Sequence, residues 1–251
     1  MNGSRIMTVF KMEVKKLLRT PMYLIISIFF VAMLVVILGF ALNNIYAWGP
    51  DGYGNPRSIF EYMVPGLFAY AGILTIFTYA SSITSDRDTG VLRRMNTTPL
   101  SSGEYLIGQM LAYTVVPLIQ TVIILITAIL MGFRPIITVE GLIMVFVFMI
   151  FLSFCSVGFG LITAKVAKNS RAAGSLAFIF IVPQQLFASF IYMGDAAKIV
   201  GYAMPSQYVT EPLYRIFFGG TLADPIIWFQ LGVIAAITFG VYVVGLKLYD
   251  R

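Results

Sequence analysis

The sequence contains no histidine, a single cysteine and few charged residues. Asp, Glu, Lys and Arg make up 11% of the 251 residues, while 59% are hydrophobic. A soluble domain is usually about a quarter charged, so these charges cannot cover a water-soluble surface. The missing histidine removes the commonest general base and metal ligand. The lone Cys155 excludes an internal disulfide.

Several motifs of enzymes and pumps are also missing. The sequence has no G-x-x-x-x-G-K-[ST] phosphate loop, no G-x-S-x-G and no H-E-x-x-H. We therefore expect no catalytic, cofactor-binding or metal-binding residue in this chain, and a partner must supply any driving energy. The apolar stretches carry no charge away from their ends, which argues against proton coupling. A sodium site built from carbonyl and hydroxyl oxygens stays open.

Long apolar stretches are what the sequence has instead. A helix needs about 20 apolar residues to cross the hydrocarbon core of a bilayer. Six stretches qualify and predict an all-α integral membrane fold in one domain, residues 1–251: Met22–Leu42, Met63–Ile83, Tyr105–Met131, Gly141–Ala164, Ala172–Tyr192 and Pro225–Leu246. The first stretch is predicted to be an anchor, because no small-x-small cleavage site follows it.

The basic residues predict the orientation of these spans. With the N-terminus inside, all but four of the 17 Lys and Arg residues fall in cytoplasmic segments; the four are Arg57, Arg134, Lys198 and Arg215. Cytoplasmic loops are enriched in Lys and Arg, so both termini are predicted to be cytoplasmic. The net charge of +6 then suits the anionic inner membrane surface, and nucleic acid is not expected as a partner.

The first 20 residues are predicted to form an amphipathic helix. Ile6, Phe10, Val14 and Leu17 fall on one helical face, and most basic residues lie elsewhere. Such a helix lies in the inner membrane interface. The alternative is a basic topology signal with no further role.

The segment 84–104, between the second and third spans, is predicted to hold a short helix. Ser85 and Asp88 have the spacing of a capping box, so a helix could run from there to about Asn96. Pro99 would end it, and Ser101 and Glu104 offer a second cap for the third span. A solvated loop is the alternative.

The segment 196–220, before the last span, is apolar but is broken by Gly201, Pro205 and Pro212. Irregular backbone at membrane depth survives only when it is packed in protein or lines a cavity. This pattern predicts a re-entrant helical hairpin that dips in from outside, with Met204 and Pro205 near the bend. An external interfacial loop is the alternative.

Three amides lie within the predicted spans: Gln120, Gln184 and Gln185. Buried amides in lipid tend to bond across helices. We favour interhelical packing for them over contact with a substrate in a pathway.

Two motifs resemble those of a known family. Asp88-Thr89-Gly90-Val91-Leu92-Arg93-Arg94 is followed by Thr98-Pro99, and Met204-Pro205-Ser206-Gln207-Tyr208 is followed by Glu211-Pro212, Arg215 and Gly219-Gly220. With the basic N-terminus and the six spans, the chain resembles the ABC type 2 transporter permeases, a group that includes drug exporters and polysaccharide exporters.

The resemblance implies roles for both motifs. The first resembles a coupling helix that rests on an ATPase subunit, with Asp88, Gly90, Leu92, Arg93, Arg94 and Pro99 as the coupling positions. The second resembles an external gate, with Met204, Pro205, Tyr208, Glu211 and Arg215. The family often has Glu where this chain has Asp88, and Glu211-Pro212 is not its usual pair.

The resulting hypothesis is a permease subunit of an ATP-driven exporter in a prokaryotic plasma membrane. Its partners would be a cytosolic ABC ATPase subunit, which holds ATP and Mg²⁺, and a second copy or a sibling permease. The substrate would be an amphipathic drug, a lipid or a lipid-linked glycan. The alternatives are an ATP-independent channel or secondary carrier, and a scaffold that does not transport.

Overall fold

The computed structural model describes residues 2–19, 21–47, 57–91, 100–190 and 199–249, and it is almost entirely helical. The helices are α1 Gly3–Leu18, α2 Pro21–Leu42, α3 Ile59–Ile73, α4 Thr75–Asp88, α5 Ser102–Leu130, α6 Val139–Val166, α7 Ser170–Gln184, α8 Gln207–Phe217 and α9 Pro225–Tyr249. α7 continues as a π-helix, Gln185–Phe190. Two short strands, β1 Tyr46–Ala47 and β2 Arg57–Ser58, pair antiparallel.

Five helical stretches of the described residues are long and apolar enough to cross a membrane: Leu24–Leu42, Ile59–Asp88, Ser102–Leu130, Val139–Val166 and Pro225–Lys247. The second joins α3 and α4 through Leu74. The length and apolarity of these helices confirm an all-α integral membrane fold. In hydrocarbon, the polar backbone groups must be hydrogen-bonded within their own helix, which favours such long helices. The predicted stretch Ala172–Tyr192 is occupied by α7 and the π-helix, and its last two residues lie outside the described residues. The count of six spans stays a prediction.

The bundle has two distinct ends. At one end, α1 packs along the first half of α5, beside the last turns of α4 and α6, and the end of α4 is bonded to the first turn of α7. We call this the α1 end. At the other end, the α5–α6 turn is bonded to the end of α8, with Ile136 donating its N–H to the Phe217 carbonyl at 2.9 Å. We call this the α8 end. The described parts of the segments predicted to be cytoplasmic lie at the α1 end, and those of the segments predicted to be external lie at the α8 end.

The surface of α2 shows how the bundle meets lipid. Phe29, Ile37 and Phe40 are 65%, 50% and 75% exposed, whereas Val31 and Val35 are fully buried. An apolar face of this size would not be stable in water, but it suits hydrocarbon. The inner face of α2 packs on α3 and α5.

The two predicted helix caps have opposite outcomes. Ser101 and Glu104 form the expected capping box at the start of α5, each side chain bonding the other residue's backbone N–H. The prediction of Ser85 as an N-cap is wrong. α4 runs on from Thr75 to Asp88, so Ser85 lies in its last turn and its carbonyl accepts from the Thr89 N–H. The spacing of a capping box also occurs inside helices, so spacing alone does not place a cap.

Candidate functional site

The predicted coupling segment begins where α4 ends. Asp88 is the last residue of α4, Thr89 caps it, and Gly90 has a φ of +74°. A left-handed glycine is a usual way to end a helix and turn the chain. The other predicted coupling positions lie outside the described residues: Leu92, Arg93, Arg94 and Pro99.

The end of α4 is bonded to the turn between α6 and α7. The Arg87 guanidinium donates to the carbonyls of Ala164 at 3.0 Å and Ala167 at 2.7 Å. These bonds occupy carbonyls that the end of α6 leaves free. The Asp88 carboxylate accepts from the Ser170 N–H at 3.2 Å, in the first turn of α7, where the helix dipole favours a negative charge. A force on the segment after α4 would therefore reach α6 and α7.

α1 is also fixed at this end. Glu104 accepts a hydrogen bond from the Asn2 backbone N–H at 2.7 Å and lies 3.7 Å from the Arg5 guanidinium. The Lys16 ammonium lies 2.5 Å from the Asp86 carboxylate, which joins α1 to the last turn of α4. The amphipathic helix is thus held to two other helices by charged contacts.

A buried carboxylate lies beneath these contacts. Glu13 faces inward from α1 and is 1% exposed. Burial is the main cause that raises its pKa, while nearby Lys16 opposes the shift. The sequence did contain a signal for it: Glu13 stands four residues from both Val9 and Leu17, on what would otherwise be an apolar face.

The segment that is predicted to form a re-entrant hairpin is described from residue 199 onward. Residues 199–201 are helical, the chain turns through Met204 and Pro205, and α8 follows. The Ser206 hydroxyl donates to the Gln184 carbonyl at 3.4 Å, and the Tyr208 hydroxyl donates to the Tyr202 carbonyl at 2.7 Å. The bend therefore lies against the junction of α7 and the π-helix.

A half-buried charge cluster joins α8 to α9. The Arg215 guanidinium lies 3.0 Å from the Asp224 carboxylate and 3.4 Å from that of Glu211. Glu211 also accepts from the Gln230 amide at 2.6 Å. Sequence reasoning named Glu211 and Arg215 but missed Asp224 and Gln230, because nothing in the spacing shows that α9 begins beside α8.

Aromatic side chains meet at the same end of the bundle. The ring of Tyr214 lies 5.8 Å from that of Tyr62 and 4.5 Å from that of Phe218. The Arg57 guanidinium lies 4.7 Å from the centre of the Phe218 ring and 3.0 Å from the Glu61 carboxylate. The α8 end therefore contains both large aromatic rings and paired charges.

The three amides have different surroundings. Gln120 donates to the Ser27 carbonyl at 3.3 Å and so joins α5 to α2. Gln184 donates to the Phe180 carbonyl of its own helix at 3.2 Å. The amide nitrogen and oxygen of Gln185 are buried and have no hydrogen-bond partner in the part of the chain that the structure describes. Gln120 therefore forms a hydrogen bond between two helices.

Comparison with known proteins gives one family. The family model described as ABC-2 type transporter matches residues 4–218, a range that includes nearly all of α1, the predicted coupling segment, and the predicted hairpin as far as Phe218. No curated protein matches the chain.

Proposed function

The chain belongs to the ABC-2 type transporter family, and from that premise we propose that it is the membrane-spanning permease subunit of an ATP-binding cassette exporter. A separate cytosolic ATPase subunit would hold ATP and Mg²⁺. The cargo would be an amphipathic drug, a lipid or a lipid-linked glycan that leaves the cytoplasm. Two copies of this chain, or this chain and a sibling, would enclose the pathway in a prokaryotic plasma membrane, with both termini cytoplasmic.

The observation that carries this proposal is the attachment of the end of α4. Arg87 and Asp88 bond it to the α6–α7 turn, and Asp86 pairs with α1. The chain turns at Gly90 into the segment that is proposed to rest on the ATPase. When two ATPase subunits close on ATP, that segment would push α4, and the attached helices would follow as rigid bodies.

The nature of the spans supports an amphipathic cargo. In the described parts of α2–α7 and α9, Asp, Glu, Lys and Arg occur only in first or last turns. A strongly charged solute would find no fixed counter-charge along such helices. The α8 end, with its aromatic rings and Arg215 cluster, is the proposed external gate.

Purification from the native membrane with the bound partners tests the proposal. An ATPase subunit should co-purify, and proteoliposomes that contain both proteins should transport cargo only when ATP is present. Flux through vesicles that contain this chain alone, without nucleotide, would instead identify a channel or a secondary carrier.

Gly90→Val should weaken the coupling. A left-handed residue with a side chain costs about 1–2 kcal/mol, which corresponds to roughly a 5- to 30-fold loss of the correctly turned segment. Among the described residues, a Cβ at Gly90 meets nothing within 4 Å, so backbone strain is the main direct effect expected. Substrate-stimulated ATP hydrolysis should fall accordingly.

The matched control is Gly90→Asn, since asparagine tolerates left-handed backbone. It should retain most of the stimulation. Equal activity of the valine and asparagine variants would contradict a role for the turn at Gly90.

A further inference from the structure

The inward face of α1 fits closely on α5. Val9 and Leu17 are buried, and α5 presents Gly108 opposite Val9. A Cβ at Gly108 would lie 2.6 Å from the Val9 Cβ and 3.1 Å from the Ile6 carbonyl oxygen. The two helices therefore approach closely at a point where a side chain on α5 would separate them.

Beside this apolar contact, one amide joins three helices. Gln109 of α5 donates from its amide nitrogen to Glu13 of α1 at 3.2 Å. The same nitrogen lies 2.6 Å from the hydroxyl oxygen of Tyr105, while the Tyr79 hydroxyl of α4 donates to the amide oxygen. Gln109 is 1% exposed, so water does not substitute for these partners.

An ion pair lies on the outer side of the same contact between α1 and α4. Lys16 lies 2.5 Å from Asp86 of α4 and 3.6 Å from the second carboxylate oxygen of Glu13. Lys16 is the cation that faces both acids. Glu13, Lys16, Tyr79, Asp86 and Gln109 thus form a polar cluster, which we call the three-helix joint.

We propose that the three-helix joint makes α1, α4 and the first half of α5 move as one rigid body during transport, with Glu13 and Gln109 as positioning residues for energy coupling. This inference rests on the proposed function. Sliding α1 along α5 would break the Gln109 bonds and leave a buried carboxylate and amide unpaired. Moving α1 together with α4 keeps every partner in place. α1 is then part of the lever and not a fixed support in the membrane interface.

Cross-linking tests whether the joint stays closed. Cysteines replace Lys16 and Asp86 in a Cys155→Ser background, and a short bifunctional thiol reagent joins them. We expect the cross-linked complex with its ATPase to transport at the rate of the same variant before cross-linking. If the variant transports before cross-linking but not after it, α1 and α4 must separate during transport, and the proposal of a rigid three-helix joint is wrong.

The reference is the wild-type complex in the same vesicles. If it shows no ATP-driven transport, the proposed function is wrong and the inference falls with it. If the wild-type complex transports but the cysteine variant stops after cross-linking, the proposed function stands and only the three-helix joint is wrong. The two failures are therefore distinguishable.

The number of cargo molecules transported per ATP tests the positioning role. Glu13→Ala leaves Gln109 short of a partner, and we expect this ratio to fall roughly tenfold in the folded fraction. Glu13→Gln keeps an acceptor oxygen for Gln109 and should restore most of the ratio.

Val9→Ala, on the same face of α1, is the structural control. It should lower thermal stability without changing the ratio. An unchanged ratio in Glu13→Ala would overturn the assignment.

Discussion

Gly160→Leu is expected to prevent α6 from packing on α4 and to remove most of the folded protein. A Cβ at Gly160 would lie 3.0 Å from the Ile76 carbonyl oxygen, 3.0 Å from the Tyr79 ring and 3.3 Å from the Ala80 nitrogen. Two of these three neighbours are backbone atoms of α4, which cannot rotate away. Overpacking of this kind typically costs about 1–3 kcal/mol, and occasionally more when the neighbour cannot yield.

Gly240→Leu in α9 is the matched control, since a Cβ there meets nothing within 4 Å in the part of the chain that the structure describes. Both variants place the same side chain on an apolar helix. Thermal unfolding in detergent and the monodisperse fraction on gel filtration measure the outcome. We expect a large loss for Gly160→Leu and little change for Gly240→Leu. Equal stability of the two would contradict the close approach of α4 and α6.

Arg215→Met is expected to produce the second large effect, at the α8 end. The Arg215 side chain is 16% exposed and neutralises Glu211 and Asp224, which are 17% and 24% exposed. Removing one partner of a fully buried ion pair costs about 3–5 kcal/mol, and we expect a smaller loss here because these side chains are partly exposed. The contact between α8 and α9 should loosen, and ATP-driven transport should fall with it.

A second substitution separates charge from packing. Glu211→Gln removes one of the two carboxylates, so the double variant Glu211→Gln with Arg215→Met should lose less than the sum of the two single losses. Arg134→Met is the control, because Arg134 is exposed at the same end of the bundle. Additive losses in the cycle, measured by thermal unfolding, would show that Glu211 and Arg215 act independently.

Much of the fold follows from the sequence for one reason. In hydrocarbon a backbone must satisfy its hydrogen bonds within its own segment, so apolar length alone predicts a helix. The stretch Pro225–Leu246 became α9, and residues 5–18 became most of α1. Ser85 was misplaced because a capping pattern is local, whereas α4 extends through it to pack against α6 and α7.

Only part of each candidate site could be predicted from the sequence. Glu211 and Arg215 stood within a recognisable motif, but their partners Asp224 and Gln230 belong to the next turn and helix. Glu13 was visible as an acid on an apolar face, yet its partner Gln109 lies 96 residues away in the sequence. No local pattern connects such a pair.

Three properties could be read from the linear sequence: this chain lies in a membrane, its long apolar segments are helices, and it resembles the family to which it belongs. Each of these depends on composition or local spacing, which a linear chain displays. Only the folded arrangement shows that Gly160 lies against the backbone of α4, that Arg215 is shared by two carboxylates, and that Glu13 contacts Gln109. These contacts depend on how helices of similar apolarity pack against one another. That fit is a matter of shape and of buried polar partners, which hydropathy does not encode.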